Sequence, residues 1–304
     1  MPPTVQPPPG FRPGVPGPRP TTPAPQQAPV APQAPAAVAE PPAPQPFVPG
    51  APKDTRISAT VELPSKGIFY GSTCPDGIVE LYPMTGQEEA LVANMDPANI
   101  HEIFDILLRR CLKTPLDPDD MLSTDKFYLV LVLRSNSYGS FYEFRVRCQN
   151  CGLFALRGCN VPEDFEILNP KPGHGAEPFE TTLPRSGDRV KFRLLRGRDD
   201  KDVLKWRDRE LERGTQKFGD PAHVYQMAKH VVEINGKAPA NIGETMRWYE
   251  SLIAMDASAL GNAIDEYVTG VNTELGVECQ KCKVHFKADM PFTAGFFRTH
   301  TRRA

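Results

Sequence analysis

The sequence predicts an α+β protein in which two similar β-hairpins enclose a helical insertion. An apolar strand, a Cys-Gln-x-Cys motif and a second apolar strand occur in that order twice, at residues 145–154 and again at residues 274–286. Between them, residues 199–270 have helical patterns that are separated by Gly, Pro, Asn or Asp. Ahead of them, strand-like and helix-like patterns mix over residues 54–140.

The first 53 residues form a proline-rich arm. Twenty of the 34 prolines fall within residues 1–52, and the only charged residues before Lys53 are Arg12, Arg19 and Glu40. Such a segment buries too little apolar area to offset the entropy lost on ordering, so we expect a disordered or extended arm. The remaining residues, about 250, are enough for a hydrophobic core.

Strands and one helix are expected directly after the arm. Ile57–Tyr70 begins with alternating apolar and polar residues, and Gly77–Met84 is a second short strand. Thr85 and Glu88 form a capping-box signature, which predicts a helix from there to about Met95.

Two further helices precede the first cysteine pair. Asp96 is the expected cap of the first, with Pro97 at its first helical position. Its apolar face has helical spacing: Ile100, Ile103, Phe104, Leu107, Leu108 and Cys111. Thr124–Ser135 is apolar nearly all round, which favours a buried helix beginning there or one residue earlier over a buried strand. Ser140–Cys148 is a strand that leads into the cysteine pair.

Strands and helices also alternate in blocks beyond the first cysteine pair. Strands are expected at Phe179–Pro184, Arg189–Gly197, Glu274–Cys279 and Val284–Met290. The predicted helices are Asp199–Arg213, Pro221–Glu233, Ile242–Met255 and Ser258–Thr269.

These elements divide the chain into five predicted segments. They are the arm (1–53), an N-terminal αβ region (54–140), a first ribbon half (141–178), a β-hairpin with the helical insertion (179–273), and a second ribbon half with a basic tail (274–304).

The two cysteine pairs predict one structural zinc site with the ligands Cys148, Cys151, Cys279 and Cys282. A two-residue gap lets both sulfurs of a pair converge on an ion about 2.3 Å away, while turn amides point at the thiolates. A zinc ribbon builds a four-thiolate site from two such knuckles at hairpin tips. Here 127 residues separate the knuckles. Zinc binding of order ~10 kcal/mol would offset the entropy of closing that loop.

Other interpretations of the cysteines remain open. Disulfides within or between the pairs would be favoured in an oxidising medium. A thioredoxin-like redox pair requires a βαβ context that is not evident here, and a catalytic zinc requires an open coordination position. Cys159 is an alternative ligand, whereas Cys111 lies on an apolar helix face and is expected in the core. His285 is expected on a strand surface.

Charge and motif content argue against several function classes. The net charge is −2, so the chain has no overall electrostatic footprint for nucleic acid. It contains no apolar run of 18 or more residues and no secretory pattern, so we expect no membrane association and synthesis in a cytosol. No catalytic motif or cofactor-binding loop is present, and we expect a protein that is not an enzyme.

A zinc-ribbon nucleic-acid adaptor is the alternative function. Six basic residues lie in or near the two knuckles: Arg145, Arg147, Arg157, Lys281, Lys283 and Lys287. A local basic patch of this kind would suit phosphate contacts, although the near-neutral total argues against it.

Several motifs resemble the baseplate hub and hub-assembly proteins of contractile-tailed bacteriophages, a family with members in the T-even phages. They are "LPSKGIFY", "LYPMTGQEE", "STDKFYLVLVLRSNSYG", "FYEFRVRCQNCG" and "FETTLPRSGDRVKFRLLRGRDD". The resemblance covers about residues 57–300 and excludes the arm. It implies a structural subunit or assembly factor of the tail baseplate, located in the virion after synthesis in the host cytoplasm. The implied partners are other tail subunits in a symmetric assembly.

Overall fold

The computed structural model describes residues 57–96, 99–214, 220, 222–292 and 294–297. The predicted arm and the basic tail from residue 298 onward lie outside these residues. The described residues belong to one compact unit. The predicted α+β class is confirmed, because seven α-helices and several small antiparallel sheets lie within the described ranges.

The elements are, in chain order, β1 (Ala59–Glu62), β2 (Ile78–Leu81), α1 (Gly86–Ala93), α2 (Ile100–Cys111), α3 (Ser123–Tyr138), β3 (Phe141–Arg147), β4 (Phe154–Asn160), β5 (Glu166–Leu168), β6 (Phe179–Thr182), β7 (Arg189–Phe192), α4 (Gly197–Arg213), α5 (His223–His230), β8 (Val231–Ile234), α6 (Ile242–Ser251), α7 (Ala254–Tyr267), β9 (Gly270–Asn272), β10 (Glu274–Glu278) and β11 (His285–Asp289). A 3-10 turn, Ala294–Phe297, follows.

The N-terminal region follows the sequence patterns closely. Strands β1 and β2 pair in antiparallel fashion. Helix α1 begins with the predicted capping box, in which the Thr85 hydroxyl caps the helix and the Glu88 carboxylate accepts from the Thr85 N–H at 3.0 Å. Helix α3 begins at Ser123, as its apolar pattern predicts.

The predicted start of α2 is wrong by three residues, because its first residue is Ile100. The Asp96 side chain nevertheless makes the bond expected of a cap: it accepts from the Asn99 N–H at 3.0 Å, and the Asn99 side chain accepts from the Asp96 N–H at 2.8 Å. This reciprocal pair has the bonding pattern of a capping box and lies directly ahead of the helix. The predicted apolar face is buried from Ile103 onward.

The region beyond the first hairpin contains the largest correction. Residues 231–233 were predicted as the end of a helix, but they belong to strand β8, which pairs with β7 to complete the three-stranded sheet β6-β7-β8. Two β-branched valines begin β8, and Asn235 and Gly236 follow it with positive φ, so the local sequence suits a strand that ends in a turn. The β5–β9 pair was not predicted.

The helix limits in this region also differ from prediction. Helix α6 ends at Ser251 rather than Met255, and α7 begins four residues earlier than predicted, at Ala254. The strand predicted at Arg189–Gly197 ends at Phe192, and Gly197 begins α4.

Helix α3 lies at the centre of the hydrophobic core. Leu129, Val130, Leu131 and Leu133 are buried, which explains why its sequence is apolar nearly all round. The core cluster includes residues from the N-terminal region, from the three-stranded sheet and from β10. The predicted segment boundaries within residues 54–304 stay predictions.

Asp199 joins three elements near the start of α4. Its buried carboxylate accepts two hydrogen bonds from Arg193, at 2.6 and 2.9 Å, and one from the Arg196 N–H at 3.0 Å. Lys229 of α5 lies 3.5 Å away. Burial raises the pKa of Asp199, but these hydrogen bonds and positive charges outweigh it, so its pKa lies below the ordinary value.

Replacing Asp199 by asparagine should lower the free energy of unfolding at pH 7 by about 2 kcal/mol. Since the folded-state pKa is depressed, the stabilisation is present above about pH 4, the ordinary aspartate value, and is lost as the pH falls through the folded-state pKa. Urea unfolding from pH 7 to pH 2.5 would measure this, and the difference between the two proteins should shrink below about pH 4. Asp208→Asn, at an exposed position of the same helix, is the matched control. An equal loss in both variants would contradict the prediction.

Candidate metal centre

The two knuckles have the same main-chain geometry. In the first, the Cys148 N–H donates to the carbonyl of Leu153 at 2.8 Å, and the Gly152 N–H donates back to the carbonyl of Cys148 at 2.9 Å. The second hairpin repeats both bonds from the equivalent position, Cys279, at 3.0 and 2.9 Å. Each pair of cysteines therefore lies on a tight turn between two paired strands, β3 and β4 or β10 and β11.

The residue after each second cysteine has a left-handed main chain. Gly152 has a φ of +72°, and Lys283 has a φ of +60° at the equivalent place. Glycine adopts this conformation without a steric penalty, whereas a residue with a Cβ atom is strained there. At this position the first knuckle has an unstrained glycine, Gly152, whereas the second has Lys283 with a strained main chain.

Lys283→Gly should therefore raise the free energy of unfolding by about 0.5–1 kcal/mol. The loss of the Lys283 ion pair with Glu278, 3.6 Å long and exposed, should cost little. Lys281→Gly, in the same knuckle but without a positive φ, is the control and should not stabilise. Thermal unfolding of the three proteins measures the difference, and a destabilised Lys283→Gly variant would refute the assignment of strain.

The structure brings the four cysteines of the two hairpins together. The sulfur of Cys148 lies 3.6 Å from that of Cys282, and the sulfur of Cys151 lies 3.6 Å from that of Cys279. All four sulfurs lie within 4.8 Å of one another. Four sulfurs at the corners of a tetrahedron about 2.3 Å from a zinc ion would be roughly 3.8 Å apart. The chemistry and spacing of this donor set fit a four-thiolate zinc site.

Sulfur distances also bear on the alternatives. A disulfide bond is about 2.05 Å long, so the 3.6 Å pairs are not disulfides. Within the described ranges, all seven cysteines are free thiols. Cys159 is not part of the sulfur cluster: it is buried opposite Tyr142, at the end of β4 away from the knuckle. His285 is exposed on β11, as expected.

Amide groups of the second knuckle favour its thiolates. Two hydrogen bonds lower the pKa of the Cys282 thiol to about 6: the larger effect comes from the Val284 N–H and the smaller from the Asn150 side chain. The N–H groups of Cys282 and Lys281 lower the pKa of Cys279. These are the turn amides expected to point at metal-binding sulfurs.

Cys151 has the opposite tendency. The Leu153 N–H is the largest single influence on this thiol and lowers its pKa, but desolvation and hydrogen bonds with the other three cysteines together raise the pKa to about 11. A pair of low-pKa thiols thus faces a thiol that keeps its proton. A cation placed among them would remove this asymmetry by favouring the thiolate at every position.

Two of the six basic residues in the knuckle region form ion pairs with carboxylates. Lys287 pairs with Glu274 at 2.7 Å, and Lys283 pairs with Glu278. Arg157 is half-buried on β4, and Arg145 is exposed on β3. The nucleic-acid alternative therefore gains no support from this arrangement.

Fold and site together define a mixed α+β protein in which four cysteine sulfurs lie close together between two hairpins that are distant in sequence. A family model described as T4 bacteriophage base plate protein matches residues 58–172, which include the first hairpin. Over this stretch, which is less than half of the chain, the protein is similar to T4-type baseplate proteins. Neither the curated proteins nor the solved structures gave a match.

None of the helices in the described part of the chain combines the length and the apolar character that a membrane span requires.

Proposed function

We propose that this protein is a structural subunit or assembly factor of the hub of a contractile phage tail, stiffened by one zinc ion. The observation that carries the proposal is the convergence of four cysteine sulfurs from two hairpins, in a chain whose residues 58–172 match a baseplate family. Its proposed location is the virion tail, after synthesis in the host cytoplasm. Other tail subunits are its proposed partners, within a symmetric assembly, and no catalytic role is proposed.

The zinc ion would act as a mechanical link between hairpins in a zinc-ribbon-like arrangement. Cys148 and Cys151 would hold it from the first hairpin, and Cys279 and Cys282 from the second. Each hairpin is only two-stranded, and such a hairpin is marginally stable by itself. A metal bound by both would fix their relative positions without a large additional core. A subunit that transmits force while its neighbours move needs rigidity of this kind.

The proline-rich arm would act as a tether between subunits. Residues 1–53 lie outside the described residues, and the proposal rests on their composition. Polyproline II extends about 3.1 Å per residue, so a chain of this length can reach across a neighbouring subunit. Deleting residues 2–53 should reduce the yield of assembled particles while the remaining chain still folds, as judged by circular dichroism. Normal assembly and infectivity of the deletion would rule the tether out.

Two measurements test the proposed function directly. Elemental analysis of the purified protein should give one zinc per chain, and a thiol assay should show four cysteines that become reactive only after chelation. Immunodetection or a reconstruction of purified particles should place the protein with other tail proteins, at the hub. Zinc-free protein with four cysteines in disulfides would refute the zinc link. Absence from both particles and assembly intermediates would refute the baseplate role.

A further inference from the structure

We propose that the outward face of the β3–β4 hairpin is a docking surface for a partner protein that presents apolar side chains flanked by carboxylates. The proposal rests on the proposed baseplate function and specifies which surface makes a contact. The docking face consists of Phe141, Arg145, Arg147, Phe154 and Leu156.

The alternation of side chains along this hairpin is unusual on its solvent side. The inward residues of β3, which are Tyr142, Phe144 and Val146, are buried in the core. A sheet with one buried face ordinarily has polar residues on the other. Here Phe154 is 71% exposed on β4 and Phe141 is 57% exposed on β3.

Leu156 enlarges the exposed apolar area, because it is 46% exposed and lies on the same strand face as Phe154. Together with Phe141 it gives one face of this small hairpin three large exposed apolar side chains, and a group of this kind typically marks an interaction site. A single exposed apolar residue would not have this meaning.

Strand register places cations within the apolar patch. Leu156 lies opposite Arg145 and Phe154 lies opposite Arg147. Phe141 lies beside Gly158, where an added Cβ would be 2.7 Å from the phenylalanine ring. The absence of a side chain at Gly158 leaves room for this ring to lie across the neighbouring strand. Arginine and aromatic residues together are the composition enriched at protein interfaces.

Charge complementarity defines the partner. Arg145 forms no ion pair within the described part of the chain, and Arg147 donates only to the Gly152 carbonyl, at 3.2 Å. Glu143 is the one carboxylate among the outward positions of the two strands. Lys281 adds a further exposed cation on the adjacent knuckle. An apolar partner surface with an acidic rim would bury the patch and neutralise these charges.

The test uses the full-length protein and the other baseplate proteins of its own particle, each purified and titrated separately. Phe154→Ser with Leu156→Ser removes the apolar part of the face, and Arg145→Glu with Arg147→Glu reverses its charge. Leu211→Ser is the matched control, since Leu211 is 59% exposed on α4, outside the docking face. We expect each double variant to bind a baseplate protein about tenfold or more weakly, and the control to bind normally. Binding of the unaltered protein should weaken as salt is added.

Several results would overturn the proposal. If the double variants bind baseplate proteins as tightly as the unaltered protein, the docking face is wrong and the baseplate function stands. If the unaltered protein binds none of them, both proposals fail. Binding to single-stranded DNA that only the charge-reversed variant loses would assign the face to nucleic acid instead. Dimerisation in analytical ultracentrifugation that Phe154→Ser with Leu156→Ser abolishes would assign it to a second copy of the chain.

Discussion

Replacing Cys148 by serine should abolish zinc binding and lower the melting temperature by about 10 °C or more. Cys148 is buried and its sulfur lies 3.6 Å from that of Cys282, so its loss removes one of four donors at the point where the hairpins meet. A structural zinc site contributes of order ~10 kcal/mol of binding free energy, of which the variant would lose a large part. Calorimetry of the purified protein, with zinc measured in the same samples, provides the readout.

Cys74→Ser is the matched control for this substitution. Cys74 is equally buried, lies outside the four-cysteine cluster, and donates to the Ile78 carbonyl, which a serine hydroxyl can also do. Its zinc content should be unchanged. Adding a chelator to the unaltered protein should reproduce the effect of Cys148→Ser, with increased hydrogen exchange in β10 and β11. A chelator without effect on melting would mean that the cysteine cluster does not stabilise the fold through a metal.

Replacing Arg134 by methionine should lower the free energy of unfolding by about 3–5 kcal/mol. Arg134 is 2% exposed in the middle of the core. It donates to the main-chain carbonyls of Phe296 at 3.1 Å, of Phe141 at 2.8 Å and of Gly139. Its guanidinium also lies over the rings of Tyr142 and Phe296. Methionine fills similar space but leaves three carbonyls without these donors and removes both cation–π contacts.

Denaturant unfolding distinguishes this role from an effect of charge alone. Arg134→Lys keeps the positive charge but cannot reach three separate carbonyls with one ammonium group, so we expect an intermediate loss. Arg213→Met, at an exposed position in α4, should change stability by less than about 0.5 kcal/mol. A fully stable Arg134→Lys variant would show that the charge, rather than the fork of donors, is what the core requires.

Arg134 was not predicted from the sequence to have this role. It follows an apolar run in α3, where a charged residue ordinarily marks the point at which a helix face becomes exposed. Its partners are main-chain carbonyls, and one of them, Phe296, lies 162 residues away. Main-chain carbonyls occur at every residue, so no sequence pattern could identify them as partners. Asp199 is similar, since its helix was predicted but its contacts with Arg193 and Lys229 were not.

Elements that form from neighbouring residues were predicted most accurately. The capping box at Thr85 and the paired strands around each knuckle depend on residues a few positions apart. The start of α2 was predicted three residues too early, although Asp96 makes the predicted cap bond with the Asn99 N–H. The prediction of a helix through residues 231–233 was wrong because the pairing of β8 with β7 outweighed the helical pattern that precedes it.

The sequence by itself determined the two matching knuckles, since a Cys-x-x-Cys turn and its flanking strands are specified within about a dozen residues. Only the tertiary structure decided that β5 pairs with β9 and that Phe154 and Leu156 face solvent, and it shows the four sulfurs together, as the matching knuckles predict. The physical reason is the same in each case. Contacts between segments that are a hundred residues apart depend on how the whole core packs, and that packing leaves no periodic signal in either segment.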